Sequence, residues 1–439
     1  MTDDAPQNIP QASIPNIKLP NEQLVAFRQV NEIIAARMAP LNSVNPAVWN
    51  AIQSLNISPK AACPPEMQQN IAQIFAQAMA TKDAPITSTR GQSRASNKSP
   101  YSSNFSSPGD YFRRYERRIN SFSSFNEAIG KLTANVGAIR LVWRGQTNAK
   151  WGIHSGLYRA LLKKNGINLE EDLTKVRGNQ PFPTEEQLIA AEQEILKAAR
   201  TDWRFDGMPA LETFARLQHE GGLTRLLDVS KNPYIAAWFA VEDGNNEEED
   251  GRLVAFATTS VNKPDKRDTD DTIVLDGSWD TYRPIWHMWD DSRRKDLDWG
   301  TGAKRRVWTP PVYHDRIAAQ NAAFLVDGIP RINRKLREGL NRPGKKEVWT
   351  RSDILAASSV LAKVVSANKI PRTNKMRLAP TFTFLIEAKA KQEIREHLES
   401  QFGYTRSYVY PDMSAFAEYT RKLPLPSLAD VESQMSQEV

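Results

Sequence analysis

A guanidinium beside a glycine can seize an oxyanion, and the run AIRLVWRGQ at 138–146 ends in Arg144, Gly145 and Gln146. Leu141 and Trp143 alternate with Val142 and Arg144, which predicts a strand with Arg144 at its end. There a phosphate or carboxylate can approach the backbone closely and take two N–H donors at once. The competing role for Arg144 is an ion pair with Asp228.

A second group runs through 217–240, LQHEGGLTRLLDVSKNPYIAAWFA, and contains His219, Thr224, Arg225, Asp228 and Ser230. His219 closes a predicted helix ahead of Gly221 and Gly222. Its ring is a general base, a donor that orients a ligand, or a cation at a helix C-terminus, and position alone favours the cation. Arg225 and Asp228 make a structural pair in the simplest reading. Thr224 and Ser230 serve as cap or turn hydroxyls as readily as ligand contacts. Farther on, Arg316 and Gln320 are four residues apart and share a face if helical. Gln320 suits a ribose hydroxyl or amide, or closes a hydrogen-bond network.

The elements that position these groups follow from periodicity. A helix over 206–218, a turn at Glu220-Gly221-Gly222 and a strand over 223–228 precede a helix capped by Ser230 or Asn232, with Pro233 in its first turn. Residues 252–258 and 381–387 read as strands and 273–275 as a short one. Residues 169–199 read as a charged helical pair, 389–402 as a helix and 407–422 as a turn. The cluster RRYERR at 113–118 marks the start of a helix. A mixed sheet follows, hence an α/β domain of the α+β kind. The segment 282–308 is rich in Trp and Arg without a period and reads as a long decorated loop. Its aromatics interleave with Arg293, Arg294, Lys295, Lys304, Arg305 and Arg306, a composition able to stack bases and track phosphates. Four aspartates in the same segment favour an ordinary charged loop.

Around this domain, 1–20 reads as a proline-containing arm. Leu24, Val25, Phe27, Val30, Ile33, Ile34 and Met38 open a helical module over 21–81, expected to mediate protein–protein contact. Residues 82–110 form a Ser/Pro-rich linker, 111–423 the main domain and 424–439 a disordered tail. The 439 residues carry a formal charge of +7, a small excess over a mixed charged surface. Cys63 stands alone, so neither an internal disulfide nor a cysteine-cluster metal site is available. The five histidines show no HExxH spacing, and no metal is expected. GxxxxGK[ST], GxGxxG and GxSxG are missing, which removes the commonest NTPase, Rossmann and hydrolase signatures. Without a leader or a run of about 18 apolar residues, a cytoplasmic protein with no membrane contact is expected.

Four segments in order carry a resemblance. They are Trp143-Arg144-Gly145-Gln146 with Trp151 and Leu157-Tyr158-Arg159; Gln218-His219, Gly221, Thr224 to Asp228, Asn232-Pro233 and Phe239-Ala240; Arg316-Ile317, Gln320 and Phe324; and Pro411-Asp412 before Ala417. Together they resemble the FRG domain, a bacterial and phage-associated module named for a Phe-Arg-Gly strand, over roughly 111–423. Trp143 stands for its Phe, Glu220 for an aromatic, Leu223 for a proline, Val229 for a tryptophan and Ser230 for a threonine. Ala322 stands for a glycine, which removes backbone freedom from that turn. The arrangement is also loosely similar to ADP-ribosyltransferases, which clamp NAD.

The resemblance implies a mixed α/β domain without a settled activity, and the first functional expectation is an intracellular effector of phage–host conflict that binds a nucleotide-type small molecule. NAD is then the expected substrate rather than a resident cofactor, its ADP-ribose part transferred or cleaved. Arg144 would hold the diphosphate, His219 and Ser230 orient a ribose, and Gln320 polarise a hydroxyl, with Asp228 in the catalytic set. Gly145, Gln146, Thr224, Arg225 and Arg316 would line the ligand. The alternative is a non-enzymatic nucleic-acid or protein-binding module acting through 282–308.

Overall fold

The computed structural model describes residues 98–242, 244–261, 283–340 and 349–421, with 423, 425 and 427. The arm, the helical module, most of the linker, the strand at 273–275 and nearly all of the tail fall outside these residues.

The described chain builds one mixed sheet. Its strands are β1 (Arg117–Ile119), β2 (Leu141–Gln146), β3 (Leu227–Ser230), β4 (Gly251–Ala257), β5 (Arg306–Trp308), β6 (Ala322–Val326), β7 (Lys363–Val364) and β8 (Pro380–Ile386). Their order is β1-β8-β4-β2-β3-β6-β5, and β7 also pairs with β8. The contacts of β1 and β7 with β8 are parallel and the remaining pairings are antiparallel. The helices are α1 (Asp110–Arg113), α2 (Phe122–Val136), α3 (Gly156–Lys164), α4 (Glu185–Thr201), α5 (Ala210–His219), α6 (Pro233–Val241), α7 (Asp291–Asp296), α8 (Asp315–Ala319), α9 (Arg334–Leu340), α10 (Arg351–Ala357), α11 (Ala388–Phe402), α12 (Arg406–Val409) and α13 (Met413–Thr420). Among the described residues no helix is long and apolar enough to cross a membrane.

Alternation along β2 sorts the core, as its sequence predicts. Trp143 joins Leu253, Phe382 and Phe384 in the layer that also holds residues of α2, α6 and α11. Val142 joins Val254, Leu227 and Leu325 in the layer shared with α3 and α10. Each large apolar side chain buried this way stabilises the fold by about 1.5–3 kcal/mol. Gly145 points to the α6 side, and a Cβ there would run into the Ala236 carbonyl. The glycine therefore lets helix and strand close together. Asn232, rather than Ser230, caps α6 by accepting from Tyr234 N at 2.9 Å, and Pro233 occupies the first turn as expected.

Several expectations are corrected. Tyr101 and Phe105 are buried in the core, so packed structure begins before the end of the predicted linker. RRYERR runs from the last residue of α1 into β1, where Arg117 and Arg118 pair with β8 as strand. The helical pair at 169–199 is one 3-10 turn, Leu173–Lys175, and the single helix α4. The predicted turn at 407–422 holds the end of α12 and the whole of α13. The decorated loop at 282–308 is ordered around its tryptophans. It contains a 3-10 turn at Ile285–Met288, α7 and β5, and Trp286, Trp299 and Trp308 pack with Phe214 and Phe324 in a third core cluster. Arg305 is buried and donates to the carbonyls of Ala257, Leu361, Ala379 and Pro380. Arg294 pairs with Glu186. Trp286, Trp299, Trp308, Arg294 and Arg305 thus hold the fold.

Candidate functional site

The sheet contains a seam. All six residues of β2 pair with β4, and all four of β3 pair with β6, but β2 and β3 share a single registered pair, Trp143 with Ser230. Arg144, Gly145 and Gln146 lie past that pair on one side, and Val229, Asp228 and Leu227 on the other. A cleft of about 1580 Å³ reaches this seam. Of the predicted site residues, Arg144, Gly145, Gln146, His219, Asp228, Ser230, Arg316 and Gln320 line it.

Arg144 bridges the seam where backbone pairing stops. Its Nη1 donates to the Asp228 carbonyl at 2.8 Å and lies 3.7 Å from Asp228 Oδ2. The ion pair proposed as the competing role is present, yet it uses one nitrogen, and the buried Nε has no hydrogen-bond partner among the described residues. Burial lowers the Arg144 pKa against the attraction of Asp228, though a guanidinium stays charged at neutral pH. Asp228 Oδ2 also accepts from Gln218 Nε2 at 2.9 Å, and Gln218 Oε1 accepts from Thr224 Oγ1 at 2.7 Å. Thr224 is thus a buried brace behind the cleft rather than a lining residue.

Arg225 is likewise removed from the cleft, and its predicted pairing with Asp228 does not form. Its guanidinium meets Glu192 at 2.5 and 2.9 Å and Glu185 at 2.6 Å. Glu192 further accepts from Trp286 Nε1 at 3.0 Å and contacts His287 Nε2 at 2.8 Å. Arg225 is the centre of a buried charge cluster that ties α4 to the Trp-rich segment.

His219 ends α5, as predicted, but it is not set up as a helix-end cation. Burial lowers its pKa from the ordinary value, with His314 and Arg316 acting in the same sense and Asp228 opposing. Its ring stacks on His314 at a centroid distance of 5.5 Å. The neutral ring suits proton acceptance or ligand orientation.

Ser230 is spoken for. Its hydroxyl donates to the Gln320 carbonyl at 2.8 Å and accepts from Asn232 N at 3.0 Å. Gln320 ends α8, and its Nε2 donates to the Val409 carbonyl at 3.0 Å. The turn beyond it survives without a glycine at Ala322 because Asn321 takes the left-handed conformation, φ 45°. Arg316 donates through Nε and Nη2 to Asp412, and through Nη1 to the His219 carbonyl at 3.4 Å. Gly145 presents its bare side to α6, which allows helix and strand to pack closely.

The four sequence segments therefore meet at one place. Three cleft residues had no distinguishing pattern in the sequence. His154 is a lone histidine between β2 and α3. Glu242, at the end of α6, accepts from Arg406 Nη1 at 2.8 Å. Tyr410, whose hydroxyl donates to Glu242 at 3.3 Å, lies under the guanidinium groups of Arg316 and Arg406. Glu242 opens the acidic run at 242–250, which masks its individuality. Among the described residues no three of His, Cys, Asp and Glu come together as a metal site.

A family model for the FRG domain matches residues 139–249. That span covers β2, α3 to α6 and β3, hence Arg144 and the segment around His219, whereas Arg316, Gln320 and Asp412 lie outside it. No curated protein and no solved structure matches the chain.

Proposed function

The chain carries an FRG domain at residues 139–249, and on that premise we propose that its cleft binds a nucleotide-type ligand, with NAD as the substrate and its ADP-ribose part the group cleaved or transferred. The observation that supports this reading is Arg144. One terminal nitrogen is braced on the Asp228 carbonyl, and the buried Nε has no hydrogen-bond partner among the described residues at the seam between β2 and β3. A cation held rigid on one side and unengaged on the other is suited to a diphosphate.

In this mechanism Arg144 takes the diphosphate and the neutral ring of His219 orients a ribose. Gln320, held through Nε2, presents Oε1 to a ribose hydroxyl. Asp228, more than half exposed, is the carboxylate that faces the cationic sugar centre formed as the bond to nicotinamide breaks. Ser230 positions the Gln320 turn rather than the ribose. The test is nicotinamide release from NAD by the full chain, with Arg144→Ala as control. A folded chain that neither binds nor turns over NAD would refute the reading. The non-enzymatic alternative drew on the aromatics of 282–308, and with Trp286, Trp299 and Trp308 in the core no observation favours it.

A further inference from the structure

Two buried, uncharged polar side chains lie close together on the cleft lining. They are Gln146, 8 % exposed, and His154, 4 % exposed. Gln146 Nε2 donates to the Gly152 carbonyl at 3.0 Å, and its Oε1 makes no hydrogen bond. The His154 ring lies over Gly152, where a Cβ would collide with it. His154 Nε2 also makes no hydrogen bond. Two buried polar side chains thus converge on one glycine with unmet hydrogen-bonding capacity, an arrangement that folding alone disfavours. Burial and the neighbouring Arg159 lower the His154 pKa to about 3, so the ring is neutral. Beside them Trp151 is 45 % exposed on the same cleft, a large aromatic with a face to offer. Arg159, which donates to the His154 carbonyl at 2.8 Å, brings a cation to the edge of this group.

We infer that the arm formed by Trp151, Gln146, Gly152 and His154 is a recognition site for a neutral planar ring bearing an amide or amine edge, the base of the nucleotide whose phosphates meet Arg144. A phosphate would find no charge among these groups. A ring stacked on Trp151 meets an amide and a neutral imidazole, the partners that discriminate a base edge. Adenine and nicotinamide share this chemistry. The inference rests on the nucleotide reading and adds to it the ring-binding end of the cleft.

The test is calorimetric titration of the full-length chain with AMP, nicotinamide mononucleotide and ribose 5-phosphate, which lacks a ring. Trp151→Ala is the principal variant because the side chain is exposed, and Gln146→Leu is the second, with circular dichroism as a check on folding. Wild type is expected to bind at least one of the two nucleotides tenfold or more tighter than ribose 5-phosphate. Trp151→Ala is expected to erase that preference while leaving ribose 5-phosphate unchanged, and the nucleotide affected identifies the ring. The inference is overturned if Trp151→Ala keeps the preference, or if it weakens ribose 5-phosphate equally. Binding of ribose 5-phosphate that depends on Arg144 but shows no ring preference would sink this site alone. No binding by any of the three would sink the nucleotide reading with it.

Discussion

Arg316 and Asp412, 96 residues apart in sequence, form a two-pronged ion pair that holds the start of α13 against the α8 turn. The Arg316 guanidinium holds the Asp412 carboxyl down from the ordinary 3.8 to about 2. A carboxyl depressed in the folded state adds stability that is fully present above the unfolded value and lost as pH falls through the folded one. Asp412→Asn is expected to destabilise by about 2 kcal/mol at pH 7. In thermal melts, the gap from wild type should close between pH 4 and 2. A gap that persists undiminished at pH 2 would contradict the assignment.

His154 has the opposite charge type and the same sign of linkage. Its folded pKa of about 3 lies below the ordinary 6.5. The unfolded chain therefore binds the proton first, and stability falls as pH drops from 6.5 toward 3, by up to about 1.4 kcal/mol per pH unit. Asp327 acts the other way, since burial pushes its carboxyl up to about 6 and protonation below that favours the fold. Because Asp327 is common to both, the expected result is that the stability of wild type relative to His154→Gln falls as pH drops from 6.5 to 4. Parallel profiles would rule out a buried neutral His154.

The bare face of Gly145 leads to a steric prediction. Because a Cβ collides with the Ala236 carbonyl, Gly145→Ala should destabilise by about 3 kcal/mol or more through displacement of α6 from β2. Denaturant unfolding measures it, and a loss below about 1 kcal/mol would show that α6 moves aside freely.

The Arg225 cluster predicts a cost of another kind. Glu192→Gln leaves Arg225 with one charged partner in a buried site, and removal of one member of such a pair costs about 3–5 kcal/mol. Quenching of the buried Trp286 and Trp299, both packed against the cluster, should rise in the variant. Unchanged stability and quenching would mean that the cluster does not anchor the Trp-rich segment.

Sequence legibility followed the range of the determining interaction. The faces of β2 were readable because alternation is local, and the α6 start because Asn232 and Pro233 act within one turn. The cleft was readable only as separate motifs. Its opening depends on β2 and β3 parting after Trp143 and Ser230, a register between strands far apart in the chain that no local pattern encodes. Arg225 was misassigned to Asp228 for the same reason, since its partners Glu185 and Glu192 lie on α4. The Trp-rich segment showed no period because its rings reach the core from a 3-10 turn, a loop and a strand in succession. His154 carried no signal because burial, not neighbours in sequence, sets it apart, and Glu242 because it opens an acidic run.

The central claim is that Arg144 holds the diphosphate of a nucleotide at the seam between β2 and β3. The most direct measurement is NAD binding and nicotinamide release by wild type, Arg144→Lys and Arg144→Ala, each checked for native melting. Wild type should bind and release nicotinamide. Arg144→Ala should bind about 100-fold more weakly, and Arg144→Lys should fall between because an ammonium lacks the two-pronged donor geometry. Binding that is indifferent to Arg144, or a folded wild type that neither binds nor cleaves NAD, would contradict the account.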